Sequence, residues 1–228
     1  MKISAVIIAR KGSKRLKNKM HLKFFGNSLV ENKIKQLIKS NVDEIIVGSN
    51  DQKLKKICDK FHNKKIIFIK REEKYCDEKS TTPNEMVKNM LSLFDTDLVL
   101  WAHLTNPFVN EKHYNEALKI YNKLNKKKYD SLFAATKVSD YFWDQNKKPL
   151  NHNPLEKSHT LLSTGKIKPL YFSNGGVFIR RHKDMIKDGR FWGNKGFMYI
   201  MNYLDGWDIN TKWDLEVSQL KSFQKLKK

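Results

Sequence analysis

The chain has 228 residues, with 45 Lys+Arg against 24 Asp+Glu and a formal net charge of +21, an excess that asks for a polyanion. A chain of this length suits one domain with an insertion and buries about 70% of its unfolded surface, so it needs neither a disulfide nor a metal to fold. Hydrophobic residues (39%) and aromatics (11%) run along its whole length, which excludes a disordered basic tail and any collagen-like or low-complexity chain.

Apolar runs alternate with stretches of helical period. Residues 3–9 form a short continuous run rich in β-branched side chains, the pattern of a strand buried on both faces. Residues 28–39 carry Leu29, Ile34, Leu37 and Ile38 at helical spacing, with Ser28 as N-cap. A second cycle follows: a strand at 44–49 (EIIVGS), then a helix at 51–61 with Leu54, Ile57 and Phe61 on one face. Residues 66–70 read as a third strand, 83–94 as a helix with Pro83 in its first turn, and 98–103 (LVLWAH) as a fourth strand. A helix at 111–124 and a strand at 131–136 come next. The pattern breaks between 137 and 171, where Pro149, Pro154 and Pro169 interrupt any period. That segment is expected to leave the main sheet as a small β-arm or dimerisation element. A strand at 175–180 and a helix at 211–223 complete the chain. Repeated strand-helix-strand units predict an α/β fold, a Rossmann-like, doubly wound, mostly parallel sheet in one domain spanning 1–228. Ligands in such sheets bind beyond the carboxyl ends of the strands, which singles out loops 10–20, 71–82 and 104–109.

The two cysteines, Cys58 and Cys76, form no CxxC motif and no clustered histidines accompany them, so they read as free thiols of a reducing compartment and not as a zinc site. Only seven uncharged residues, 3–9, precede Arg10, too few for a secretory core or a membrane span, and a cytoplasmic protein is expected. The positive charge divides into 39 Lys and 6 Arg, beside 20 Asn. Lys and Asn are both spelled by A/T-rich codons, whereas a specific nucleic-acid binder carries Arg for bidentate contacts and gathers its charge on one face. The scattered lysine is therefore read as composition, no specific nucleic-acid partner is expected, and the few arginines become more informative.

Directly after the first strand the chain reads ARKGSKRLKNK (9–19), with six cations in ten residues around Gly12 and Ser13. Small residues let backbone N–H groups approach an anion, and flanking Lys and Arg neutralise it, which is the chemistry a triphosphate requires. Neither GxxxxGK[ST] nor GxGxxG is present. A solvated basic loop has the same composition; the position directly beyond a buried strand favours the phosphate reading.

The stretch VIIARKGSKRLKNK resembles the signature of the CMP-sugar synthetases, the cytidylyltransferases that activate sialic acid and related nonulosonic acids. Four further segments line up in order: Ile69-Lys70-Arg71 with Ser80-Thr81, Leu104-Thr105-Asn106-Pro107-Phe108, Ser173-Asn174-Gly175-Gly176-Val177-Phe178, and Asp208-Ile209-Asn210-Thr211 with Asp214-Leu215-Glu216. The resemblance spans residues 3 to about 220. It implies a fold of the nucleotide-diphospho-sugar transferase type, a homodimer, and Mg²⁺-assisted conversion of CTP and a nonulosonic acid to the CMP-sugar and pyrophosphate.

By this resemblance Arg10, Gly12, Ser13 and Lys14 hold the phosphates, and Lys19 sits over the α-phosphate, with Arg10, Lys19 and Asp208 as the catalytic set. Arg71 and Ser80 match positions that contact the nucleotide, and His103 stands where relatives have a base-contacting Gln. Asn174 matches an Asn that contacts the sugar. Asp208 matches the first carboxylate of a metal-binding DxD whose second position is Asn210 here, an amide that ligates without adding charge. The other reading of Asp208 and Asn210 is as caps of the last helix. The chain departs from the family pattern at Lys17 (a loop proline), Met20 (a base-contacting Asn), Glu78 (near an Asp) and Phe172 (the Arg of "YRxNG"). The alternatives are transfer of CMP to a different acid or a non-sugar acceptor, and a basic nucleic-acid-associated protein, which only the +21 suggests.

Overall fold

The computed structural model describes residues 1–13, 15–77, 79–153 and 167–226. Strand β1 (Ile3–Ile8) buries alternate residues in opposite directions: Ala5 and Ile7 join one apolar cluster and Val6 the other, as period two requires of a strand covered on both faces. It belongs to a seven-stranded sheet in the order β5 (Ile66–Lys70), β4 (Glu44–Ser49), β1, β6 (Leu98–Trp101), β8 (Leu170–Arg181), β7 (Ser131–Val138), β9 (Gly196–Met201). A separate ribbon pairs β2 (Lys23–Phe24) with β3 (Asn27–Ser28). β1 is parallel to β4 and β6, β4 to β5, and β7 to β9, while β8 runs antiparallel to both β6 and β7. The result is the expected Rossmann-like α/β fold with a mostly parallel sheet.

Helices α1 (Leu29–Ile38), α2 (Gln52–Asp59) and α4 (Glu111–Lys123) cover the face of Ala5 and Ile7. Helices α3 (Pro83–Leu91) and α5 (His182–Asp188) cover the face of Val6, and Leu215 of α6 (Lys212–Leu226) packs on the first cluster. Ser28 caps α1 and Thr82 caps α3, each in a reciprocal box with Glu31 or Glu85, an arrangement in which removing the cap costs about 1 kcal/mol. Cys58 and Cys76 are buried free thiols, and burial pushes Cys58 up to about 11, so neither is a ready nucleophile. No helix among the described residues is long and apolar enough to cross a membrane.

Besides the two-residue strands of the β2–β3 ribbon, α5 and β9 were not legible from periodicity. α5 has two turns with one buried side chain, Met185, and ends at Gly189, whose φ of 70° only glycine adopts at little cost. β9 reads GFMYIM with Tyr199 and Met201 buried but Met198 and Ile200 exposed, so no polar alternation marks it. The ends of the 137–171 segment belong to the sheet, since β7 runs to Val138 and β8 starts at Leu170. The segment is thus the connection of a long hairpin, and its residues 154–166 lie outside the described ones.

The loop from β6 to α4 is held from behind by Lys33 of α1. Its fully buried ammonium donates to Asn106 O (2.9 Å), Val109 O (2.8 Å) and the Tyr114 hydroxyl (2.7 Å), and burial drives its pKa well down. Asn106 in turn donates to the carbonyls of Asn174, Gly206 and Trp207. Lys33 thereby holds the loop that carries Thr105, and Asn106 ties that loop to β8 at Asn174 and to the 206–207 segment just before Asp208. Lys33→Met, which keeps the stem but removes all three donations, is expected to lower unfolding free energy by roughly 2–4 kcal/mol, measured by denaturant titration; a loss within a few tenths would refute this role.

Candidate active site

β1, β4, β5 and β6 run parallel, so their carboxyl ends share one edge of the sheet, and chain order reverses at β1, which has β4 on one side and β6 on the other. Antiparallel β8 brings residues 173–176 to the same edge, because Phe178 already pairs with Trp101, the last residue of β6. At this edge a cavity of about 610 Å³ is lined by Arg10, Lys19, Arg71, His103, Asp208 and Asn210, all singled out from the sequence. Thr81 and Thr105, which the sequence placed in the motifs without a role of their own, line it as well, as do Arg15, Tyr75 and Met86, which it gave no place in the site. Arg15 sat unremarked among six loop cations, Tyr75 lay in a loop whose position alone was indicated, and Met86 read as an inward residue of the 83–94 helix.

Lys19 stands in a 3₁₀ turn after Asn18, a residue with φ of 53°. Its Nζ donates to Ile209 O at 2.9 Å and lies 3.5 Å from Asn210 Oδ1, bridging 190 residues of chain to the Asp208 loop. Burial lowers its pKa, and the Asp208 carboxylate works in the opposite direction. Asp208 Oδ2 accepts from Asn210 Nδ2 at 2.6 Å, while Oδ1 is buried with no hydrogen-bond partner. Asp214 is committed elsewhere: burial would raise its pKa, but N–H donation from Asn210 and Thr211 and the Thr211 hydroxyl hold it below the ordinary carboxylate value. Asp208 thus offers an unspent carboxylate oxygen, and the capping of α6 falls to Asp214 and Thr211.

On the opposite wall Arg71 is almost wholly buried, donates to Tyr75 O at 2.5 Å and leaves its Nε unpaired; burial lowers its pKa. Arg10 donates to Cys76 O at 3.1 Å. Ser80 is exposed and absent from the cavity wall. Its hydroxyl donates to Lys74 O at 3.0 Å, and the neighbouring Thr81 takes the place at the wall. Gly12 is exposed with φ of 80° and borders none of the cavities described, while Ser13 lines a small recess of about 150 Å³ with Arg10, Lys19, Met20, His103 and Thr105. Lys14 and Glu78 lie outside the described residues.

A second cavity, of about 630 Å³, joins the first through His103, Asp208 and Asn210, which line both. Asn174 lines this second cavity with its amide already used, Nδ2 donating to Thr136 Oγ1 at 3.0 Å and Oδ1 accepting from Gly176 N at 3.0 Å. His103 borders both cavities and the recess, with its ring edge-on to Phe178 and Phe191. Burial holds its pKa down to about 4, against the upward pull of Asp208, so the imidazole is neutral at pH 7 with one donor and one acceptor. The unfolded chain, with an ordinary His pKa near 6.5, binds this proton more readily than the folded one. Stability from this site is therefore present above about pH 6.5 and lost as pH falls toward 4. His103→Gln is expected to flatten the thermal midpoint over that window relative to the parent; parallel curves would contradict the assignment.

Among the described residues no group of three or more His, Cys, Asp or Glu could hold a metal by itself. A hard cation held between one carboxylate and phosphate oxygens needs no such group, and the unpaired Asp208 Oδ1 suits it.

The family model described as cytidylyltransferase matches residues 4–204. The chain is 27% identical over 246 residues to N-acylneuraminate cytidylyltransferase of Escherichia coli O18:K1:H7, covering 99% of this chain and 54% of that protein. It is 24% identical to pseudaminic acid cytidylyltransferase of Campylobacter jejuni strain 81-176, covering 96% of each. It spans about half the length of several relatives it matches. Among solved structures, CMP:2-keto-3-deoxy-manno-octonic acid synthetase complexed with CTP superposes with a TM-score of 0.67 at 13% identity, over 99% of this chain and 100% of that one. 4-Diphosphocytidyl-2C-methyl-D-erythritol synthase of Anaerococcus prevotii superposes with a TM-score of 0.69 at 16% identity, over 97% and 98%. At these identities the superpositions establish the fold alone. With the family model covering 201 of 228 residues, the chain belongs to the cytidylyltransferase family.

Proposed function

We propose that this chain transfers CMP from CTP to a nonulosonic acid, releasing pyrophosphate. The observation that carries the reading is the joining of two cavities, one walled by Arg10, Lys19 and Arg71, the other aromatic, through His103, Asp208 and Asn210. The triphosphate lies along Arg10 and Lys19, with Ser13, Gly12 and Lys14 supplying the remainder of the basic loop. The base end lies toward Arg71 and Thr81, where Tyr75 and Met86 give flat and apolar surface. The acceptor hydroxyl oxygen bonds the α-phosphorus and gives up its proton to solvent as the bond to the departing pyrophosphate breaks. Lys19 neutralises charge on the phosphoryl oxygens in a partly water-excluded site, where a fixed cation is most effective. Asp208 and Asn210 would hold Mg²⁺, which, when bound, screens phosphate charge and fixes the triphosphate's shape. His103, neutral at the junction, orients a hydroxyl by one hydrogen bond. Ser80 supports the Thr81 loop and Asn174 shapes the acceptor wall.

The chain acts as one domain in the cytoplasm, as a homodimer to which the 137–171 segment contributes, with no membrane or nucleic-acid partner. The +21 excess is surface composition. Pyrophosphate release, measured with CTP, Mg²⁺ and a panel of nonulosonic acids, tests the reading. Turnover of at least one acid supports it; no release from any acid together with no CTP binding overturns it.

A further inference from the structure

Residues 10–19 carry six cations, and such a loop repels itself unless something behind it holds its course. The turn between β4 and α2 does so, although Ser49, Asn50 and Asp51 border none of the cavities described. Asn50 Oδ1 accepts from Lys11 N at 2.9 Å, at the start of the basic loop, and Asn50 Nδ2 donates to Glu73 Oε2 at 2.6 Å, in the loop that follows Arg71. Ser49 O accepts from Arg71 N at 2.9 Å. At the far end of the basic loop His21 Nε2 lies 2.9 Å from Asp51 Oδ2, anchoring the 3₁₀ turn Lys19–His21. Asp51 Oδ1 is engaged separately, accepting from Lys53 N at 2.9 Å as the N-cap of α2. Burial works against the Asp51 charge, yet the His21 and Lys53 bonds hold its pKa below the ordinary carboxylate value. An ionised carboxylate only accepts, so His21 Nε2 carries the hydrogen. Three consecutive residues thus touch both ends of the basic loop and the loop of the opposite wall.

We propose that His21, Asn50 and Asp51 are positioning residues for CMP transfer, fixing where Lys19, Arg10 and Arg71 stand relative to one another without touching substrate. β4 and β5 are already in register through Ser49 and Lys70, and α2 is already capped by Asp51 Oδ1. What the Asn50–Glu73 and Asp51–His21 bonds add is the position of the loops beyond the strand ends. The two contacts have separable effects. The His21–Asp51 bond sets the place of the turn bearing Lys19, which meets the charge that develops on the phosphoryl oxygens, so its loss falls on kcat. Asn50 joins the two walls between which the nucleotide lies, so its loss falls on CTP affinity. These roles rest on the cytidylyltransferase reading above.

His21→Leu and Asp51→Ser test the first contact, serine keeping the cap of α2 while falling short of His21. Both side chains are partly exposed, so the variants should fold with thermal midpoints within a few degrees of the parent. Each is expected to lower kcat about tenfold while the Kd for CTP, measured by calorimetry without acceptor, stays within about threefold. The double variant should be no slower than either single one, since both remove the same bond. His21→Gln, whose amide brings an N–H near the place of Nε2, should recover most of the rate. Asn50→Asp keeps an acceptor for Lys11 N but sets a second carboxylate against Glu73, and should weaken CTP binding about tenfold; adding Glu73→Gln, which reverses donor and acceptor, should restore it. Additive losses in the His21–Asp51 pair, no recovery by glutamine, thermal midpoints that fall while kcat holds, or CTP binding unchanged in Asn50→Asp would overturn the inference. Failure of the parent protein to bind CTP would instead overturn the underlying reading, so the two failures are distinguishable.

Discussion

Lys19→Ala is expected to lower kcat/KM for pyrophosphate release by roughly 100- to 1,000-fold, the magnitude seen when a preorganised charge-stabilising group is removed from a water-poor site. The lysine is costly to hold where it stands. Burial works against its charge, and the Asp208 carboxylate, the more weakly acting Asp214 and the Ile209 carbonyl compensate. A side chain needed only for stability would be better placed in solvent. Its structural contribution is one hydrogen bond to Ile209 O, worth about 1 kcal/mol, and that residue is independently held by its own N–H donating to Thr105 O at 2.8 Å. The variant should therefore fold, with a thermal midpoint within a few degrees of the parent, while losing turnover. Lys19→Arg keeps the charge but replaces a compact ammonium by a planar fork, and should recover only part of the rate. A Lys19→Ala rate within a few-fold of the parent would remove Lys19 from the phosphate site.

The central sheet was legible because its strands are buried on both faces: uninterrupted runs such as EIIVGS and ISAVII have one reading when turn signals flank them. β9 and α5 were not, since β9 exposes Met198 and Ile200 on one face and α5 buries a single residue. The same contrast runs through the site. Arg10, Lys19, Arg71, His103, Asp208 and Asn210 could be selected because a strand-end loop and an ordered set of motifs fixed their positions, and they line one cavity. Ser80 and Thr81 are adjacent hydroxyls, and only the turn geometry from Lys74 to Thr81 decides which faces the cavity. The aromatic lobe was invisible for a different reason. Phe172, Phe191, Trp192, Tyr203, Trp207 and Trp213 come from separate segments, and no period or spacing joins them until β8 and β9 fold together. Lys33 was hidden likewise: one lysine among 39, on a helix whose other charges are solvated, carries no mark of its burial.

Asp208→Asn should lower kcat/KM by about 100-fold or more and weaken the apparent affinity for the divalent cation at least tenfold, read both from cation titration of turnover and from cation-dependent CTP binding. The substitution preserves shape and removes one charge. It acts where the protein has left Oδ1 without a hydrogen bond although buried, a state that costs free energy unless a ligand completes it. Asn210 sharpens the test because its amide already faces two ways, Nδ2 to Asp208 Oδ2 at 2.6 Å and Oδ1 to Lys19 at 3.5 Å. Asn210→Asp replaces that donation to Asp208 with a second carboxylate, setting two like charges in contact. Without cation the variant should be less stable than the parent; with cation it should regain stability and bind the ion more tightly, since Mg²⁺ gains a second charged oxygen. Opposite signs in the two variants, weaker binding in Asp208→Asn and tighter in Asn210→Asp, are what a metal-holding pair requires. If the pair served only to shape the start of α6, both substitutions would move stability alone and leave the cation titration where it was.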